Sequence, residues 1–491
     1  MWRYRDLLPI ARDEHIVTFG EGWTPLLPAV NLGLMLGHPH LYIKDERQGP
    51  TGSFKDRQAA IAVSSMKAAG VKEAVVASTG NVAIAYSAYC ARAGIKLWAF
   101  VPSSVPAEKM REVALYGTEV IKVTGTYDQT KQVAARFAAS KNLHLDQGIK
   151  GIAAKEGMKT LAFELAEQLG ALESSTRWRA PDWYVQAVSG GLGPVGVMKG
   201  FAELQQMGLV DRLPKLACLQ VAGCAPMAQA FKRGQRAPID VTHPHTDINV
   251  LATGIPGQAY EVLFDLITQH GGAFEMVSDT AAFRAMHAVA KIEGLSVEPA
   301  TAVAFAGVIE MVRAGVIRPE ETVVINCSGH TFPVEKHILG EHIGRDMQLD
   351  TQSGREEGLL TALEELDARV QRIAIIEDNA DASRLIRRIL QAQGDFLIEE
   401  AQDGLQGLAL IKRTHPNLVI MDLMMPGLDG FDVIEAMKAD NALKDIPIIV
   451  VTAKDLTADE RFRLSGKIAR LRPKGSFLDV DLLEDIREIL I

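Results

Sequence analysis

Short apolar runs that alternate with helix-like runs constrain the fold of this chain more than any other feature. Between residues 41 and 123, each apolar run of a few residues is followed by a stretch of helical character. Such alternation implies a parallel sheet covered by helices on both faces, which is an α/β fold. The predicted strands are Leu41–Lys44, Ala74–Ala77, Leu97–Val101 and Glu119–Val123, and the predicted helices are Ser53–Ala69, Asn81–Ala93 and Ala107–Tyr116.

Three of the apolar runs end in turns of small residues. The turns are Ser78-Thr79-Gly80-Asn81, Ser189-Gly190-Gly191-Leu192-Gly193 and Cys327-Ser328-Gly329-His330. At the carboxyl edge of an α/β sheet, turns of this kind present backbone N–H groups that bind anions. The sequence therefore predicts a ligand site at this edge.

A lysine stands where the first predicted helix begins. The turn Gly49-Pro50-Thr51-Gly52 precedes Lys55, and the alanine-rich run Gln58–Ala69 follows it. Alone, such a lysine is typical of a surface residue whose charge stays in water. Beside three anion-binding turns it becomes a candidate reactive amine, because burial lowers the pKa of a lysine.

The stretch Gly49–Arg57, with Trp2–Pro9 and Glu21–Leu26 before it, resembles the threonine synthase group of fold-type II pyridoxal 5′-phosphate (PLP) enzymes. The resemblance extends to about residue 340 and implies a PLP-dependent domain at residues 1–345. It also implies a two-lobed fold like that of the tryptophan synthase β subunit, with the smaller lobe roughly at residues 60–155.

The resemblance assigns roles residue by residue. It implies that Lys55 binds the cofactor covalently and moves protons on the substrate. Asn81 would face the ring O3′, and Ser328 the pyridine nitrogen, where a hydroxyl does not force protonation of the ring. The phosphate of the cofactor would be bound by Ser189, Gly190, Gly191, Leu192 and Gly193. The carboxylate of an amino-acid substrate would be bound by Ser78, Thr79 and Gly80.

Departures from the family concern the substrate. Threonine synthases carry an Asn-Ser…Arg segment that helps to bind the phosphate of O-phosphohomoserine, whereas this chain has Gly148, Ile149 and Ala154 at those positions. Lys150 or Lys155 could replace the arginine as a point charge. Threonine synthesis is the first expectation. A cysteate synthase-like replacement, a serine/threonine dehydratase-like elimination and a ligand-sensing role without catalysis stay open.

Acidic, hydroxyl and basic side chains at the ends of predicted strands indicate a second domain at residues 370–491. Ile373–Ile376 is followed by Glu377 and Asp378, the run Leu418–Met421 by Asp422, and Ile446–Val451 by Thr452, while a basic stretch ends at Lys474. Strand ends converge in a parallel sheet, so these side chains should lie together. From Asp422, the distances along the chain to Asp378, Thr452 and Lys474 are 44, 30 and 52 positions.

These residues and spacings resemble the receiver domain of two-component response regulators, a flavodoxin-like (βα)5 fold. The resemblance implies that Asp422 accepts a phosphoryl group from a sensor histidine kinase. Mg²⁺ would be bound by Glu377, Asp378, Asp422 and the carbonyl of Met424. Thr452 and Lys474 would contact the phosphoryl group. Regulation of the enzyme by this domain is expected, and a passive receiver is the alternative.

Residues 346–369 are predicted to be a linker with an amphipathic helix, because Leu359, Leu363, Leu366 and Val370 recur at helical spacing. This helix either packs on its own domain or dimerises.

The net charge of −9 over 491 residues disfavours nucleic acid as a partner. The absence of a signal sequence and of long apolar runs predicts no membrane association and a cytoplasmic location. Family analogy suggests a homodimer.

Overall fold

The computed structural model describes residues 1–330 except 79, 147 and 173–176, and residues 371–473 except 392–395 and 455, together with 486 and 489. The chain divides into two compact units. The first comprises Met1–Ala29, His40–Ala290 and Leu295–Ile338, and the second comprises Val30–Pro39, Lys291–Gly294 and Leu339–Ile491, as far as the structure describes them. The predicted boundaries at 345 and 370 and the linker helix at 346–369 lie outside the described residues.

Up to residue 330 the structure is an alternation of strands and helices. The strands are β1 (Leu26–Pro28), β2 (Leu41–Asp45), β3 (Glu73–Ala77), β4 (Lys96–Pro102), β5 (Glu119–Val123), β6 (His144–Leu145), β7 (Trp183–Ala187), β8 (Lys215–Val221), β9 (Gly272–Val277) and β10 (Val323–Cys327). The helices are α1 (Val30–Leu36), α2 (Lys55–Ala68), α3 (Asn81–Ala93), α4 (Ala107–Leu115), α5 (Tyr127–Lys141), α6 (Ile152–Leu172), α7 (Leu192–Gln206), α8 (Pro226–Lys232), α9 (Gln258–His270), α10 (Asp279–Glu293) and α11 (Pro299–Arg313).

In this part of the described chain, the strands form two sheets. The larger has the order β1-β2-β10-β7-β8-β9, and only β1 runs antiparallel to its neighbour. The smaller has the order β5-β4-β3-β6 and is parallel throughout. The prediction of an α/β fold with parallel sheets is confirmed, and β3 and β5 lie within one residue of their predicted bounds.

Helix α2 begins at Lys55, two residues later than predicted. Gly52 has a φ of +74°, and Ser53 forms an isolated bridge with Gly329. The N–H of Phe54 donates to the carbonyl of Ser328 over 3.0 Å. These bonds hold the segment before Lys55 against the end of β10, so helical geometry starts only at the lysine.

A buried ion network joins α2 to its neighbours. The guanidinium of Arg57 donates to both carboxylate oxygens of Glu46 and to both of Glu164, each over 2.7 Å. Lys44 donates to Glu164 over 2.9 Å. Burial alone would raise the pKa of Glu164, but Arg57 and Lys44 hold it far below its usual range. All four side chains are at most 2% exposed, so each charge depends on the others for compensation.

The second unit contains a parallel sheet of five strands among the described residues, in the order β12-β11-β13-β14-β15. This order confirms the predicted flavodoxin-like fold. Its strands are β11 (Gln371–Ile376), β12 (Phe396–Ala401), β13 (Leu418–Met421), β14 (Ile448–Thr452) and β15 (Arg470–Pro473). Its helices after residue 370 are α12 (Ala380–Gln391), α13 (Gly404–Thr414), α14 (Gly430–Ala439) and α15 (Ala458–Leu464).

Strand β14 begins at Ile448, two residues later than predicted. Pro447 precedes it, and a proline has no N–H to give to a sheet ladder. Among the helices of the described chain, none has both the length and the apolar composition that crossing a membrane requires.

We expect Arg57→Met to lower the free energy of unfolding of the first unit by about 3–5 kcal/mol, because it leaves Glu46 and Glu164 as buried, uncompensated charges. Denaturant unfolding measures the change. The control is Arg212→Met, which removes an exposed pair with Asp182 and should cost about 1 kcal/mol or less. Equal effects of the two substitutions would contradict the importance of the network.

Candidate functional site

A cavity of about 680 Å³ lies in the first unit at the ends of its strands. Its walls include Lys55 from α2, Asn81 from α3, the loop Ser189–Gly193 and Ser328 after β10. The structure thus brings together residues that the sequence analysis predicted to bind one ligand. The carboxyl ends of parallel strands meet at one edge, which is the physical reason for this convergence.

Lys55 has an unusual charge environment. Burial lowers the pKa of its amine to about 8, although Glu298 and Asp146 act in the opposite direction. At pH 7 roughly a tenth of this amine is therefore neutral, whereas an ordinary lysine is almost entirely charged. A lysine in this state can form a covalent bond to an aldehyde and can accept protons.

The loop before α7 is shaped for an anion. Gly191 has a φ of +81°, and a Cβ at this position would lie 2.8 Å from a methyl group of Leu263. A Cβ at Gly190 would meet no atom within 4 Å, so that glycine borders open space. The N–H groups of Leu192 and Gly193, the first two residues of α7, have no partners inside the helix. The loop and the helix start together offer N–H donors of the kind that can bind an anion such as phosphate.

Asn81 is held by a residue that sequence reasoning missed. Its Nδ2 donates to Glu298 over 2.9 Å, while its Oδ1 is buried and has no hydrogen-bond partner among the described residues. Glu298 also lies 3.5 Å from the hydroxyl of Ser328, which is 2.7 Å from the hydroxyl of Thr301. Glu298 stands just before the helix that begins at Pro299, which is an ordinary position for an acidic residue. Its sequence context therefore did not indicate a site.

The predicted site for the substrate carboxylate is described in part. Ser78 lines the cavity, and its hydroxyl accepts hydrogen bonds from the N–H groups of Gly80 and Ala83, each over 3.1 Å. Gly80 is not among the lining residues and lies beside the side chain of the buried Lys109. Thr79 lies outside the described residues.

The positions that depart from the family divide into two groups. Gly148, Ile149 and Lys150 line the cavity, whereas Ala154 is buried in α6 and does not. Lys155 is not a lining residue either. Two further lining residues, Asp146 and Lys131, were missed, and the Nζ of Lys131 lies 2.6 Å from a carboxylate oxygen of Asp128.

In the second unit, the predicted acidic cluster forms. Carboxylate oxygens of Glu377, Asp378 and Asp422 lie within 4.8 Å of one another. Glu377 and Asp422 are buried, and Asp378 is exposed. Oxygen ligands at this spacing fit a hard divalent cation such as Mg²⁺.

The other predicted receiver residues are only partly described. Met424 follows in the loop after β13 and is half exposed. Thr452 ends β14, and its hydroxyl accepts a hydrogen bond from the N–H of Lys454 over 3.2 Å. Lys474 lies outside the described residues.

Comparisons with known proteins find relatives of both parts of the chain. A family model described as pyridoxal-phosphate dependent enzyme matches residues 17–329, and one described as response regulator receiver domain matches residues 373–466. The threonine synthase of Methanocaldococcus jannaschii is 34% identical over 331 residues, which are 67% of this chain and 80% of that protein. The threonine synthase of Mycobacterium tuberculosis is 33% identical over 329 residues, 67% of this chain and 86% of that protein.

Solved structures share the fold of the first unit. Maize serine racemase matches with a TM-score of 0.54 and 23% identity, over 64% of this chain and 90% of that one. Threonine deaminase isoform 2 from Solanum lycopersicum matches with a TM-score of 0.53 and 22% identity, over 64% of this chain and 81% of that one.

We expect reductive methylation of Lys55 to reach half its maximal rate near pH 8, because only the neutral amine reacts. The protein is first treated with hydroxylamine, which removes any aldehyde bound to the amine. Mass spectrometry of the Lys55 peptide then measures methylation over a pH series. An ordinary lysine amine would reach half-maximal rate at about pH 10.4. A midpoint there would show that burial does not control this amine.

Proposed function

Because this chain belongs to the family of pyridoxal-phosphate dependent enzymes, we propose that it uses Lys55 to eliminate or replace a leaving group on the side chain of an amino acid. The reaction would be that of a lyase of the threonine synthase type. The observation that carries the proposal is the buried Lys55, with its pKa of about 8, in one cavity with the glycine loop.

The residues of the cavity fit PLP. The buried Oδ1 of Asn81 is free to meet a polar group of the ring, and the space beside Gly190 admits a phosphate. Ser189, Gly190, Gly191, Leu192 and Gly193 would hold that phosphate. When bound, PLP supplies an electron sink for the carbon next to the amino group of the substrate.

Side chains of this protein would carry out the proton transfers and would orient the cofactor and the substrate. Lys55 would take the proton from Cα of the substrate and return it later, since its amine is partly neutral at physiological pH. Glu298 would orient Asn81 through its hydrogen bond to Nδ2. Ser328 would offer the ring nitrogen a hydroxyl, which does not force protonation and favours elimination and replacement over transamination. Ser78, Thr79 and Gly80 would bind the substrate carboxylate.

Two substrate groups compete within this proposal. Conversion of O-phosphohomoserine to threonine and phosphate is supported by the names of the relatives, and Lys131 and Lys150 are cations on the cavity wall. Elimination or β-replacement on another amino acid, as in serine/threonine dehydratases or cysteate synthase, is favoured by Ala154. An alanine buried in α6 offers no charge to a phosphate ester.

The receiver domain adds a regulatory proposal. Asp422 would accept a phosphoryl group from a sensor histidine kinase, with Mg²⁺ held by Glu377, Asp378, Asp422 and the carbonyl of Met424. Thr452 and Lys474 would contact the phosphoryl oxygens. Phosphorylation would then change the activity of the first domain or the assembly of a homodimer. A cytoplasmic location is part of this proposal.

We expect the purified protein to show the visible absorbance of bound PLP, and Lys55→Ala to lose both the covalent attachment and all turnover. The assay follows threonine and phosphate from O-phosphohomoserine, and 2-oxo acid and ammonia from serine and threonine. A colourless wild-type protein, or normal signalling in cells by Lys55→Ala, would favour the ligand-sensing alternative.

Treatment with acetyl phosphate and Mg²⁺ should change turnover about 5- to 150-fold, the range of a coupling free energy of about 1–3 kcal/mol. Asp422→Ala should abolish the response, because it removes the phosphoacceptor. A wild-type protein whose turnover equals that of Asp422→Ala with and without acetyl phosphate would identify a passive receiver.

A further inference from the structure

A carboxylate forms part of the wall of the Lys55 cavity. Asp146 follows β6, whose residues His144 and Leu145 pair with Ala74 and Val75 of β3. The N–H of Asp146 donates to the carbonyl of Val75 over 2.9 Å. The backbone of this residue is therefore part of the smaller sheet and not of a loose loop.

The side chain of Asp146 is held at both oxygens. The hydroxyl of Tyr86 donates to Oδ1 over 2.9 Å, and the N–H of Gly148 donates to Oδ2 over 3.3 Å. Tyr86 is fully buried in α3, and its oxygen accepts a hydrogen bond from Gln58 over 3.2 Å. The chain Gln58–Tyr86–Asp146 keeps the carboxylate on the cavity wall, so a ligand cannot push it aside without breaking this chain.

The carboxylate gains most from a partner that donates a hydrogen bond. Burial raises the pKa of Asp146, while Tyr86, Gly148, His144 and Lys55 act in the opposite direction. Each oxygen of an ionised carboxylate can accept more than one hydrogen bond, so both retain capacity for a ligand. A hydrogen-bond donor or cation that faces Asp146 lowers its pKa again and stabilises the ionised form. A dianion placed here would bring no hydrogen-bond donor to the carboxyl group and would raise its pKa further.

The two lysines on the cavity wall do not cancel this effect. Lys131 is engaged by Asp128 over 2.6 Å, so its charge is already compensated. Lys150 is exposed to solvent, where water screens its charge. Asp146 is less exposed to solvent than Lys150, so water screens its interactions with a ligand less.

We infer that Asp146 selects the side chain of the substrate, and that this side chain ends in a hydrogen-bond donor, a hydroxyl or an ammonium group, instead of a phosphate ester. The inference rests on the proposed function, because it assigns the substrate class of the same site. For a hydroxyl substrate the side chain leaves as water, and one water is taken up again when the 2-oxo acid and ammonia are released. For an ammonium substrate the side chain leaves as ammonia, and one water is taken up when the 2-oxo acid and a second ammonia are released.

The test compares wild type with Asp146→Asn as PLP-loaded full chains. The donor substrates are L-serine, L-threonine, L-homoserine and 2,3-diaminopropionate, and the esters are O-phosphoserine and O-phosphohomoserine. Wild type should release ammonia from a donor substrate and no phosphate from either ester. Asp146→Asn should lower kcat/KM for that donor about 10- to 100-fold, the loss expected for a charge-assisted hydrogen bond.

A binding measurement separates selection from a merely structural role. The probes are L-ornithine and L-2-amino-5-phosphonopentanoate, which carry a cation or an anion at the same distance from Cα. Wild type should bind ornithine more tightly, and Asp146→Asn should weaken ornithine and strengthen the phosphonate. Loss of packing would weaken both. A second variant, Tyr86→Phe, removes the hydrogen bond that holds the carboxyl group but keeps the group itself, and should reduce the preference for ornithine without reversing it.

The failures are distinguishable. A protein that takes up no PLP, or whose Lys55→Ala variant turns over normally, refutes the proposed function. A PLP-loaded wild type that releases phosphate from O-phosphohomoserine, or binds the phosphonate more tightly than ornithine, overturns the inference alone. Because this comparison needs only wild type, it decides even where Asp146→Asn does not fold.

Discussion

The buried ion network around Arg57 is the constraint on which the reactive part of the first unit depends. Arg57 lies two residues after Lys55 on α2 and donates to Glu46, which follows β2, and to Glu164 on α6. Gly157 lets α6 approach closely, since a Cβ there would lie 2.2 Å from the carbonyl of Arg57. Removing one partner leaves a buried charge without compensation. The network thus holds the start of α2, and with it the position of the Lys55 amine.

The chemistry of that amine comes from opposing influences. Burial favours the neutral form, and the carboxylates of Glu298 and Asp146 favour the charged form, so its pKa stays near 8. The two carboxylates also face different parts of a ligand. Glu298 contacts Asn81 and Ser328, which would border the ring of the cofactor, while Asp146 lies on the wall from the smaller sheet. One cavity therefore combines a proton acceptor with two carboxyl groups held in fixed positions.

Much of the fold and part of the site could be predicted, because their signals are local in sequence. The helix Asn81–Ala93 and the strand Glu119–Val123 have the predicted bounds. Lys55, Asn81 and the glycine loop follow strand ends or begin helices, and the acidic residues of the receiver follow apolar runs. Asp146 and Glu298 carry no such signal. Asp146 follows a strand of only two residues, and Glu298 precedes a helix as many acidic residues do.

The sequence by itself determined the α/β class, the two kinds of domain and the lysine and aspartate that would react. These follow from hydrophobic periodicity and from the residue types at strand ends, which are local properties of the sequence. The tertiary structure alone decided which charges surround Lys55. The pairing of β6 with β3 brings Asp146 to the cavity, and α11 brings Glu298 to Asn81. Such contacts join residues far apart in the sequence, and electrostatic interactions depend on distance in space and on burial.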